Sequence, residues 1–178
     1  MKVSRAEEDY KMSDNRSLNI TWEDPSVVAK AAFSMRGLEF LQKIASGEIP
    51  LPPIMRLIDM RSGEASEGKA SFTCVIGEQH YNALGLVHGG IAATLLDTAL
   101  GCSIHTVLPA GVGYTTLELH VNYVRPISLQ TGVIRAEGEV IHIGRSVATA
   151  QARIVDTAGK LYAHATTTCM ILRSTEQS

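Results

Sequence analysis

In VHGGIAATLLDTALG, residues 87–101, every position from Ile91 to Leu100 is apolar or threonine except Asp97. Burying a carboxylate in such a stretch is costly. It has a use where chemistry needs a base sheltered in an apolar cleft. Two structural readings compete: the acid could meet water at an edge, or be bonded by Thr94, Thr98 or a neighbouring strand. Just upstream stand His88, Gly89 and Gly90. Glycine at a helix start lets a ligand approach the backbone. The first amides of a helix have no internal acceptor and carry the positive end of its dipole. Those amides suit a carbonyl oxygen that is becoming an oxyanion. The plainer alternative is a tight loop-to-helix turn. A base together with an oxyanion donor would support attack of water on a carbonyl carbon.

Eight residues separate Gly89 from Asp97, about 12 Å along a helix. A base and an oxyanion donor serving one carbonyl must both lie within a few ångström of it. One chain cannot easily bring both to one carbon. Two antiparallel copies of the helix about a two-fold axis could set one copy's Asp97 beside the other's Gly89, giving two composite sites per dimer.

The surrounding elements must position these groups. Asp24 and Pro25 read as the cap and first position of a helix, with Val28, Ala31, Ala32, Met35, Leu38 and Leu41 recurring at three and four. Gly37 could split it in two, and Pro50, Pro52 and Pro53 end it. Residues 1 to about 20 read as a frayed tail. From residue 55 the period becomes two, with two short strands joined by SGEASEG. After the helix at 89–107, four strand-like runs follow, at 116–124, 133–142, 146–156 and 160–172. In the first, Leu117, Leu119, Val121 and Tyr123 fall on one face and Thr116, Glu118, His120 and Asn122 on the other. HIGRS and DTAGK read as hairpin turns, so the sheet is antiparallel. Ala148, Ala150, Ala152, Ala163 and Ala165 make one sheet face small enough for a helix to approach. The expected class is α+β: a curved antiparallel sheet wrapped around one long central helix, the outline of a hotdog, with an extra N-terminal helical segment. Residues 1–48 form that segment and 49–174 the main domain.

Composition bounds the rest. The 178 residues suffice for one sizeable core. With 16 basic and 18 acidic residues, nothing calls for nucleic acid or an anionic membrane as partner. No run reaches the roughly 20 apolar residues of a membrane span. The start, MKVSRAEEDYKMSDNRS, lacks the apolar core of a signal peptide, so a cytoplasmic location is expected. Cys74, Cys102 and Cys169 read as small buried hydrophobes.

Asn82, the turn Gly85-Leu86-Val87-His88-Gly89-Gly90, and Asp97 two helical turns later form a pattern. It resembles that of the hotdog-fold acyl-CoA thioesterases, in the phenylacetate-degradation (PaaI-like) branch. LELHVNYVRPI is similar to the strand that follows the helix in that family. The resemblance covers roughly residues 50–172. It implies hydrolysis of an acyl-CoA thioester, with coenzyme A as part of the substrate and no separate cofactor or metal. The Gly89 amide would meet the thioester oxygen, Asn82 would help place water or the acyl group, and His88 would orient the turn. Asp97 would be general base or nucleophile, with Thr116 near it. Arg145 in HIGRS, and more weakly Arg125, would meet the phosphates of coenzyme A, with Gly90 near the ligand. The family also implies the composite dimer, often as a dimer of dimers.

His120, His142 and His164 lie in three different strands but share no short motif with an acidic or sulfur ligand, which argues against metal. His105 would favour the dipole at the helix end, and Tyr81, Tyr114 and Tyr123 read as wall or core. Two rivals are a hotdog hydratase or dehydratase and a non-catalytic acyl-CoA sensor. The first fifty residues carry seven basic and eight acidic side chains, a poor footprint for a DNA-binding module.

Overall fold

The computed structural model describes residues 16–173. Helices α1 (Pro25–Ser34), α2 (Gly37–Ser46) and α3 (Pro53–Leu57) precede strands β1 (Met60–Ser66) and β2 (Lys69–Val75). The long helix α4 (Gly89–His105) follows. Strands β3 (Val112–Tyr123), β4 (Val133–Ile143), β5 (Val147–Asp156) and β6 (Leu161–Arg173) complete the chain. The six strands form one sheet in the order β1-β2-β4-β5-β6-β3, and every pairing is antiparallel.

α4 lies on the inner face of this sheet because that face is made of small side chains. Ala148, Ala150 and Ala152 of β5, and Ala163 and Ala165 of β6, are all buried. Gly138 of β4 comes closest to the helix. A Cβ there would stand 2.2 Å from the Ala99 carbonyl oxygen, so only glycine fits beneath it. From the helix, Leu95, Leu96, Ala99, Leu100 and Ile104 fill the space above the sheet with no exposure.

The N-terminal helices form as expected and for the expected reasons. The Asp24 carboxylate accepts from the Ser26 amide at 2.8 Å, and Pro25 occupies the first turn. Gly37 does split the run. A Cβ on it would stand 1.9 Å from the His105 carbonyl oxygen, so the start of α2 is pressed onto the end of α4. There the Gly37 amide donates to the Leu108 carbonyl at 3.1 Å.

Four local features differ from the sequence expectation. Of the stretch read as a tail, residues 1–15 lie outside the described residues. Residues 16–20 lie against the domain: Arg16 pairs with Glu78, and Leu18 and Ile20 line a cleft with Met55 and Met60. Residues 53–57 are helical, started by Pro53 at the first position. Most of SGEASEG belongs to β1, and the turn narrows to Glu67 and Gly68, the latter at φ +75°. In β3 the pairing skips Leu117: Thr116 faces Cys169 and Glu118 faces Thr168. This bulge reverses the alternation, so Thr116 points inward together with Leu119 and Val121. No helix among the described residues is long and apolar enough to cross a membrane.

Candidate active site

The turn before α4 is built by hydrogen bonds from its own residues. The Asn82 Oδ1 accepts from the Leu84 amide at 2.8 Å and the Leu86 amide at 3.3 Å, closing a turn in which Gly85 takes φ +73°. The Val87 amide donates to the Ile127 carbonyl, and the His88 amide to the His80 carbonyl at 2.8 Å. His80 itself is buried behind the turn, where its ring accepts from the Gly77 amide. Burial pushes the His80 pKa down, so it stays neutral.

His88 caps α4. Its Nδ1 accepts from the Gly90 amide at 2.9 Å, and its carbonyl accepts from the Ile91 amide at 2.9 Å. An accepting Nδ1 carries no proton, so His88 is in the Nε2–H form. The amides of Gly90 and Ile91 are thereby used. The Gly89 amide has no acceptor among the described residues, so of the first three amides of α4 it is the one left for a ligand. From β3, the Tyr123 hydroxyl donates to the Gly89 carbonyl at 3.0 Å.

Two turns further along α4, the Asp97 Oδ1 accepts from the Thr116 hydroxyl at 3.0 Å. Its Oδ2 has no partner among the described residues, and no cation pairs with the group there. Thr94 and Thr98 take no part, since their hydroxyls donate back to the carbonyls of Gly90 and Thr94. Beside Asp97, burial raises the Cys102 thiol to about 12 and also raises Cys169 and Tyr114. All three are therefore neutral near pH 7, and the carboxylate stands among uncharged neighbours.

Within one chain the structure brings together two groups of residues. His88, Gly89, Gly90 and the Asn82 turn gather at the start of α4, and Asp97 gathers with Thr116 one helix half away. Arg125 lies just past Tyr123, exposed, with its guanidinium donating to the Leu161 carbonyl. It shares a small cleft with Lys160 and Ser128. Arg145 is in the β4–β5 hairpin, where the adjoining Ser146 carbonyl accepts from Ile171 near the end of β6. That places it at the opposite end of the sheet from Gly89. Four of the histidines fall outside this site. His120, His142 and His164 point from the outer sheet face, and His105 is buried at the end of α4. No three potential metal ligands cluster among the described residues.

Sequence reasoning missed the Tyr123 contact, the His80 support and the Leu117 bulge. The first two join residues far apart in the chain or facing away from a motif. The bulge had one local sign: Thr116, a polar residue, precedes an alternating apolar run.

This geometry fits the comparisons with known proteins. Residues 84–163 carry a domain that matches the family described as Thioesterase superfamily, and the antiparallel sheet wrapped on one long helix is the hotdog fold. A solved structure of a phenylacetic acid degradation-related protein from Ralstonia eutropha JMP134 superposes with a TM-score of 0.66 at 26% identity. The overlap spans 73% of this chain and 98% of that one. Acyl-coenzyme A thioesterase 13 from Homo sapiens is 29% identical over 104 residues, which are 56% of this chain and 70% of that protein. A Halobacterium salinarum protein with a provisional esterase name is 36% identical over 97 residues. The matched part is 52% of this chain and 62% of that relative.

Proposed function

We propose that this protein hydrolyses acyl-CoA thioesters in a dimer, at two sites that each take residues from both subunits. The observation that carries this reading is the division of labour along α4. One unused amide sits at Gly89 and one open carboxylate oxygen at Asp97, about 12 Å apart on the same helix. A second copy supplies the missing half. β3 is the free edge of the sheet on the side that carries Thr116 and Tyr123, and an exposed edge can be extended by a copy of itself.

In this reaction Asp97 of one subunit takes a proton from water as the oxygen attacks the thioester carbon. The carbonyl oxygen gains charge against the Gly89 amide of the other subunit. The carbon–sulfur bond then breaks, and coenzyme A leaves as a thiolate that is protonated by solvent. Thr116 holds Asp97 in place, and the Asn82 amide group lies next to the turn for the water or acyl group. Arg145, and secondarily Arg125, hold the phosphates of coenzyme A, with Gly90 along the backbone path. The chain needs no cofactor of its own.

Three measurements test this. A panel of acyl-CoA esters with a thiol trap should show release of coenzyme A by wild type. Hydration of an enoyl-CoA without thiol release would instead support a hydratase, and binding without turnover would support a sensor. Sedimentation should show a dimer or a dimer of dimers. Mixing Asp97→Asn with Gly89→Pro subunits should restore activity that neither has alone. Random pairing leaves one intact site in half of the dimers, about a quarter of the wild-type rate. No recovery on mixing would refute the shared site. Proline suits this position because it removes the amide yet is tolerated at a first helical residue.

A further inference from the structure

The peptide group between Gly89 and Gly90 is held at both ends. Its N–H donates to the His88 Nδ1 at 2.9 Å, and its carbonyl accepts from the Tyr123 hydroxyl at 3.0 Å. The next peptide back, between His88 and Gly89, whose carbonyl accepts from the Ile91 amide at 2.9 Å, presents the unused N–H of Gly89. Its direction is set by the two torsions at Gly89, and glycine restrains those least of all residues. The φ of Gly89 is not positive, so the backbone alone does not demand glycine here. Tyr123 crowds the position instead: a Cβ on Gly89 would stand 3.2 Å from the Tyr123 Cζ and 3.3 Å from its hydroxyl oxygen, so the ring would have to give by a few tenths of an ångström. A side chain at Gly89 would therefore push the ring and its hydroxyl away from the Gly89 carbonyl, whereas glycine lets the hydroxyl hold that carbonyl. Tyr123 is 56% exposed within one subunit, so packing inside that subunit does not account for it.

We propose that Tyr123 is a positioning residue for the oxyanion donor. By fixing the Gly89 carbonyl it holds the Gly89 N–H aimed at the reacting oxygen. This rests on the thioesterase reading above, and its test separates the two. Oriented donors act in the transition state, where the oxygen carries more charge than in the bound substrate. In Tyr123→Phe the ring stays and the hydroxyl goes. The expected result is a fall in kcat of about tenfold, the worth of one hydrogen bond, with KM within about twofold and an unchanged melting temperature. In Gly89→Ala the amide remains, but its methyl displaces the ring, so kcat falls by a similar factor. The double variant is then little worse than either single one, because both break the same contact.

Amide dynamics give a readout independent of turnover. The Gly89 N–H order parameter should fall in Tyr123→Phe while that of Gly85, which Tyr123 does not touch, is unchanged. An unchanged Gly89 amide overturns the proposal whatever the enzyme hydrolyses. So does a rise in KM with kcat intact, which would make Tyr123 a substrate contact. If wild type hydrolysed no thioester while the Gly89 amide loosened as stated, the positioning role would stand and the assigned reaction would fall.

Discussion

At its first turn α4 is held by hydrogen bonds that leave one amide over, and at its last turn it is held by rings that leave nothing over. His88 is exposed, Gly89 and Asn82 are half-buried, and Tyr123 is exposed beside them. At the other end His105 is 8% exposed, stacked on Phe40 of α2 at 5.4 Å and met edge-on by Tyr114 of β3 at 5.7 Å. Just beyond the helix the Gly111 amide donates to the Phe33 carbonyl at 2.9 Å, which ties α1 in. Gly101 makes room for Tyr114, since a Cβ there would touch its ring at 2.5 Å. One helix thus serves two purposes. Its start carries the turn proposed to meet the thioester, and its end anchors the N-terminal helices to the domain. Stability is spread unevenly through folded chains, and sites that must admit ligands are drawn from the less stable part.

If this contrast is right, substitutions at the two ends should separate activity from stability. The largest effect belongs to Asp97→Asn, expected to lower kcat by roughly two to four orders of magnitude with the melting temperature nearly kept. Steady-state kinetics beside a thermal melt checks both halves. Phe40→Ala should do the reverse. Removing a buried phenyl ring costs about 3–5 kcal/mol of stability by denaturant unfolding, while kcat at low temperature stays near wild type. Gly37→Ala should be milder and of the same kind, about 1–3 kcal/mol, because its methyl meets the His105 backbone and not a movable side chain.

The pH dependence sharpens the contrast further. Burial lowers the pKa of both His105 and His80. Each folded-state pKa lies below its unfolded value, so above about pH 6.5 neither group affects stability. Below it the unfolded chain takes up protons that the folded chain refuses, and stability falls. Urea unfolding from pH 8 to 5 should show this acid limb. In His105→Asn the limb should be shallower by up to about 1.4 kcal/mol per pH unit, the slope of one proton. The smallest effect is expected from Thr116→Val. Loss of one hydroxyl from Asp97 should lower kcat about three- to tenfold, with the fold intact by circular dichroism.

Much of this molecule could be read from its residues. The capped N-terminal helix, its break at Gly37, the long helix from Gly89 and the antiparallel run of strands are local patterns that the structure bears out. The alanines of β5 and β6 foretold the close helix, and Gly138 adds one more that alternation alone did not mark. His88, Gly89 and Asp97 stood out because a turn and a helix place them by spacing, whereas Thr116 was marked only by the family resemblance. What stayed hidden was set by tertiary contact. His105 was read as favouring the dipole at the helix end, and it is instead buried beneath α2, which no pattern near residue 105 announces. Thr116 was expected on the face opposite Leu119, and the Leu117 bulge turned both inward. A skipped residue in a strand depends on the partner strand, which periodicity within one segment does not contain.

The bond from the Gly37 amide to the Leu108 carbonyl joins positions about 70 residues apart. A ribosome releases α2 well before the carbonyl and the His105 ring that receive it. Until they arrive, Phe40, Leu41 and Ile44 have no finished surface to cover them. Chains elongate at about 5–20 residues per second, so these side chains wait for several seconds. The segment that buttresses the finished protein therefore completes its packing only after α4 has been made.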